Sequence, residues 1–267
     1  MVQKFSIAHL TLLQCPPPEI VTIAAKAGYD YVSLRITAVT ASELLYPLVD
    51  DREMMRETKQ RLADTGIKVL DVELARMDPT TEPETYFPFL EACGELGALH
   101  IICQLPDLDR SRATDRFVRL CQAAKPYGLT VNVEFPSWTE TPNVETAAAI
   151  VGAADQPNGG ILIDVLHFHR SGSSLEALSK MPREWFHFAH LCDAPEEIPS
   201  TTEKIIHAAR NERLFLGEGG LNIRDILQCL PPMPYSLEIP NDRRLKEMGS
   251  EAFARQVLQS AKTYFTA

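Results

Sequence analysis

Short apolar runs alternate with longer amphipathic segments along the whole chain. Runs over 5–12, 29–36, 68–75, 99–105, 129–135, 160–166, 185–192 and 235–239 read as strands, most of them apolar enough to be buried on both faces. Between them the spacing predicts helices over 16–27, 51–65, 83–96, 111–126, 143–154, 200–210, 222–230 and 250–265, with a further short one starting at Ser173 or Ser174. The signals at the helix ends agree with this. Pro16, Pro17 and Pro18 suit a first turn, Ser111, Asn143 and Asn222 are predicted N-caps, and Gly28 and Gly66 sit where helices should stop.

Eight strand–helix alternations imply parallel strands joined by right-handed crossovers. With 267 residues and no linker or low-complexity tract, the expected architecture is α/β, a single (β/α)8 TIM barrel domain over 1–267. The formal net charge of −10 argues against a nucleic-acid partner, which would call for a basic face. No run reaches the roughly 20 apolar residues of a membrane span. None of the six cysteines stands in C-x-x-C spacing, so reduced thiols and a cytoplasmic protein are expected. Small molecules and cations are the expected partners.

The chemistry should lie at the C-terminal ends of the strands, where barrels of this kind place their sites. Asp164 ends the apolar run that begins at Gly160, and a buried carboxylate needs a cation, a proton or strong donors. Strand alternation sets Asn132 and Glu134 on the inner face, opposite Val131, Val133 and Phe135. His190 and Glu238 close the next two strands, so four consecutive strands each offer one ligand: Glu134, Asp164, His190 and Glu238. Three carboxylates around one point repel one another without a cation, and the imidazole offers a fourth donor to one. Mostly oxygen donors with one nitrogen favour one divalent ion, Mn²⁺, Mg²⁺ or Co²⁺, over a thiolate-type zinc site.

The series Val133-Glu134, Asp164-Val165-Leu166-His167, His190-Leu191-Cys192-Asp193, Gly217-Glu218-Gly219 and Leu237-Glu238 resembles the xylose isomerase-like TIM barrel superfamily along essentially the whole chain. The resemblance implies sugar isomerases, epimerases or dehydratases, with the metal held by Glu134, Asp164, His190 and Glu238. It also implies that Glu134 and Glu238 are catalytic acid/base groups on opposite faces of the substrate, and that His167 and Glu140 bind substrate. The epimerase branch has an arginine six residues after the metal histidine; this chain has Glu196 there, and Arg213 is the candidate replacement. The resemblance further implies a possible homo-oligomer, a dimer or tetramer.

Proton abstraction beside a carbonyl gives an enediolate, whose charge a divalent cation stabilises. The expected function is therefore a metal-dependent isomerase or epimerase of a small sugar or hydroxy-carbonyl compound. Loss of a β-hydroxyl on the same barrel gives the alternative, a dehydratase or lyase of a cyclic keto-polyol or 3-dehydroshikimate-like acid. Arg35 is a further substrate-binding candidate. Glu73, Gln104, Trp138, Asp193 and Glu218 are weaker ones, each equally suited to a supporting role, and His9 suits core or rim packing better than substrate contact.

Overall fold

The computed structural model describes residues 3–39 and 43–266. The strands are β1 (Phe5–Ile7), β2 (Tyr31–Arg35), β3 (Lys68–Arg76), β4 (His100–Gln104), β5 (Thr130–Val133), β6 (Gly159–Ile161), β7 (Ile163–Asp164), β8 (Ala189–Leu191) and β9 (Tyr235–Leu237). They form one parallel sheet in the order β6-β5-β4-β3-β2-β1-β9-β8-β7. The two ends of that order are a single stretch of chain, because only Leu162 separates β6 from β7. β6 pairs with β5 and β7 with β8, while the Leu162 amide donates to the Val133 carbonyl at 3.0 Å. The nine segments therefore occupy eight positions around a barrel with helices outside, as the alternation predicts. No helix among the described residues is long and apolar enough to cross a membrane. All six cysteines are free thiols, five of them buried.

Several boundaries differ from the sequence reading, and each difference has a local cause. The strand predicted over 160–166 stops at Asp164, and Val165–Arg170 is helical. The Asp164 Oδ1 atom accepts from the amides of Leu166 at 2.7 Å and His167 at 3.2 Å, which starts the helix. The helix Arg110–Ala124 takes its N-cap from Asp109, which accepts from the Arg112 amide at 3.1 Å, and not from Ser111. Asn143 and Ser174 do cap their helices, Val144–Ala154 and Leu175–Ser179. Asn222 precedes Ile223–Gln228 without a side-chain cap bond and donates to Asp225 instead. The helix Asp242–Met248, which no periodicity announces, follows a cap from Asn241.

The main core lies between strands and helices. A second, small apolar cluster of Leu70, Leu74, Ile102, Leu162 and Phe188 is separate from it. Ile102 alternates along β4 with Ile101 and Cys103 of the main core, so the small cluster fills the barrel interior below the strand ends. Room is short there. A Cβ on Gly160 would sit 2.5 Å from the Trp185 carbonyl oxygen and 2.6 Å from His187 Nδ1. Beside this cluster Asp71 is fully buried on β3, with Oδ2 accepting from Ser33 Oγ at 2.7 Å and Oδ1 unpartnered. Burial, aided by the nearby Glu73 and Glu238 carboxylates, pushes its carboxyl from 3.8 up to about 7 against the pull of His190.

Two outcomes are expected. Gly160→Ala should destabilise the fold by about 1–3 kcal/mol, read as a lower Tm; an unchanged Tm would contradict the close approach. The folded protein holds the Asp71 proton more tightly than the unfolded chain does. Its contribution is complete below the unfolded value of 3.8 and is lost as pH rises through about 7. Wild type should therefore lose more Tm between pH 5 and pH 8 than Asp71→Asn, and equal losses would remove Asp71 from the account.

Candidate metal centre and active site

Four neighbouring strand ends deliver four buried side chains to one point. Glu134 follows β5 and continues its ladder, its amide donating to the Cys103 carbonyl at 2.9 Å. Asp164 ends β7 and stands in register with His190 of β8, which pairs in turn with Ser236 of β9. Glu238 follows β9, its amide donating to the Leu191 carbonyl at 3.0 Å. Glu134, Asp164, His190 and Glu238 each offer one ligand atom, and these atoms lie within 4.8 Å of one another. Two donors on opposite sides of an ion with bonds of about 2.1 Å would be roughly 4.2 Å apart, so the constellation is the right size for one ion.

The electrostatics point the same way. His190 is fully buried, and neither of its ring nitrogens has a hydrogen-bond partner. Glu238 Oε2 is 3.3 Å from Nδ1 and Asp164 Oδ2 is 4.0 Å away, close enough for attraction but without hydrogen-bond geometry. Burial lowers the pKa of this imidazole, but the Glu238, Asp71 and Asp164 carboxylates outweigh burial and push it up to about 10; the pocket thus draws a cation, and a divalent ion would take the place of that proton. Burial and the Glu238 carboxylate push the Glu134 carboxyl up, while burial of Glu238 is outweighed by His190 and Arg213, which hold it well below the usual carboxylate range. With His190 neutral, as a ligand must be, three carboxylates face the one guanidinium of Arg213, leaving two negative charges that a divalent ion would balance. The donor set thus fits a divalent ion.

The remaining candidates divide. His167 lines the cavity above the four side chains, with Nε2 3.9 Å from Asp164 Oδ2 and its ring edge-on to Trp138. Its Nδ1 has no hydrogen-bond partner. Gln104 donates to Glu134 Oε2 at 2.7 Å and accepts from Arg76 at 2.8 Å, so it orients that carboxylate. Arg213 reaches the cavity, but Nη1 donates to Asp164 Oδ2 at 2.7 Å and Nη2 lies 2.8 Å from Glu238 Oε2. Arg35 also lines the cavity, with its guanidinium held by Glu73 and Glu43. Glu140 is not brought to the site. The turn closed by Thr139 on Pro136 leaves it exposed, and only its carbonyl is engaged, by Arg110.

Two supporting roles are clear. His9 links the Cys15 carbonyl to the Arg35 amide, and Asp193 accepts from the amides of Ala194, Gly217 and Leu221, which fastens the glycine loop. Glu218 of that loop is exposed and pairs with Arg244 at 2.7 Å. The sequence reading missed Arg210, which reaches the cavity from the helix Thr202–Asn211. A signal for it exists only in three dimensions, because only the C-terminal end of that helix, Ala209 and Arg210, reaches the cavity. The cavity itself is small, ≈ 40 Å³.

Comparison with known proteins places this geometry in context. The chain is 31% identical over 227 residues to an inosose isomerase of Halalkalibacterium halodurans, covering 79% of this chain and 77% of that protein. It is 26% identical over 257 residues to a 3-dehydroshikimate dehydratase of Pseudomonas aeruginosa, covering 89% of this chain and 38% of that longer protein. The fold is shared with the crystal structure of the IolI protein with a bound zinc atom, at a TM-score of 0.76 and 20% identity over 99% of this chain and 97% of that one. The sequence model of the xylose isomerase-like TIM barrel matches residues 21–263, and on this match the chain is an enzyme of that family.

Proposed function

We propose that the enzyme is a divalent-metal-dependent isomerase or epimerase of a small polyhydroxy carbonyl compound. The observation that carries this reading is the buried set Glu134, Asp164, His190 and Glu238, in which an orphaned imidazole meets three carboxylates. When bound there, a divalent ion supplies stabilisation for the negative charge that develops on a substrate carbonyl oxygen. Glu134 and Glu238 are the proton-transfer groups. They follow β5 and β9 and reach the same point, so each can meet a substrate carbon bound there. Gln104 fixes the orientation of Glu134, and His167 presents a ring nitrogen to a substrate hydroxyl from a wall shared with Trp138. Return of the proton to the same carbon from the opposite face epimerises; return to the neighbouring carbon isomerises.

One observation favours a second reading, a dehydratase or lyase of an acidic cyclic keto-polyol. Arg210 lines the cavity and has no ion pair or hydrogen bond among the described residues, whereas Arg35 and Arg213 are committed to protein carboxylates. A free guanidinium on the wall suits a substrate carboxylate. Either substrate would lie against the helix Thr202–Asn211, whose Ala209 and Arg210 line the cavity. Only Ala209 is fully buried among the residues of the helix Thr202–Asn211, making it the wall least anchored by packing.

The two readings separate in deuterated water. With Mn²⁺ present, inososes and ketoses should gain deuterium at the carbon beside the carbonyl, read by NMR, and a chelator should abolish the exchange. Loss of water from a 3-dehydroshikimate-like acid with no exchange into the polyols would select the second reading. No exchange and no product across the panel in either condition would contradict both.

A further inference from the structure

Arg213 sits inside the ligand set, and its position is fixed by groups outside that set. Its amide donates to the Pro240 carbonyl at 3.0 Å, and its own carbonyl accepts from Asn241 Nδ2 at 2.8 Å. Its Nε donates to the Ala209 carbonyl at 2.7 Å, and Nη1 also faces Cys192 Sγ at 3.5 Å. The fully buried guanidinium is thus aimed by backbone on both sides before any carboxylate is considered. Its remaining contacts are with two of the four candidate ligands, Asp164 Oδ2 and Glu238 Oε2. Because Oδ1 of Asp164 is committed to the helix cap, Oδ2 is the oxygen left to offer an ion.

From this geometry we infer that Arg213 is a resident counter-charge which keeps the metal-free site folded and weakens its hold on the divalent ion. The inference rests on the metal reading proposed above and concerns positioning, not contact with substrate. Without an ion, three buried carboxylates would repel one another, and the guanidinium offsets that repulsion at two of them. With an ion, Asp164 and Glu238 would each serve two cations, and a fixed positive charge a few ångströms away would oppose binding. An arginine cannot relieve this by losing its proton. The same side chain therefore stabilises the empty centre and loosens the filled one. Four of its five N–H groups already face protein acceptors, which leaves little for a substrate.

The test measures Mn²⁺ affinity by competition with a chromophoric chelator, and thermal unfolding with and without Mn²⁺. Wild type should stay folded after chelation. Arg213→Met should bind Mn²⁺ at least about tenfold more tightly, unfold at a lower temperature when stripped, and gain more from Mn²⁺ than wild type does. Arg213→Lys keeps a charge but not the fork that reaches both carboxylates, so its affinity should lie between those of wild type and Arg213→Met. Should Arg213→Met fold under neither condition, Arg213→Gln decides the same question without the charge. Equal or weaker Mn²⁺ binding by the uncharged variant, or unfolding of wild type on chelation, overturns the inference while leaving the metal reading intact. A wild-type protein that binds no divalent ion overturns both.

Discussion

Three carboxylates buried at one point are the constraint around which the site is organised. Glu134, Asp164 and Glu238 are all more than nine-tenths buried, in a region where an unpaired charge is expensive. Each one is answered separately. Asp164 spends one oxygen on the amides of Leu166 and His167 and gives the other to Arg213. Glu134 receives the Gln104 amide. Glu238 lies between His190 and Arg213. What is left unanswered is a pair of negative charges and an imidazole with no hydrogen-bond partner on either nitrogen, and a divalent ion answers both.

The barrel makes this concentration of charge affordable. Parallel strands bring residues distant in the chain to the same height, and register alone sets Asp164 beside His190 and His190 beside Ser236. The apolar cluster of Leu70, Leu74, Ile102, Leu162 and Phe188 closes the interior beneath them, so the carboxylates see little water from below. Above, the helix Thr202–Asn211 hands Arg210 to the cavity wall, and Arg213 follows a short distance along the chain as a brace between Asp164 and Glu238. One short segment thus bears both on access to the site and on its charge.

Much of this was legible in the sequence. Apolar runs located every strand of the barrel, because parallel strands buried on both faces leave a strong signal. Alternation placed Glu134 and Asn132 inward, and the helix Arg52–Thr65 ended at Gly66 as its spacing demanded. The failures share a cause: side chains that act locally are invisible to periodicity. Asp164 turned its strand into a helix by capping it, so Val165 and Leu166 left the strand predicted for them. Glu140 holds its place by count along the chain, yet the turn at Pro136 points it to solvent. Arg213 looked like a substrate contact because nothing in the sequence says that its guanidinium would meet Asp164 and Glu238 first.

The central claim is that these four side chains bind one divalent ion, and anomalous diffraction from crystals grown with Mn²⁺ tests it most directly. The account predicts a single strong anomalous peak within about 2.0–2.3 Å of one atom from each of Glu134, Asp164, His190 and Glu238. A featureless map at that position, or a peak held by other residues, would contradict it.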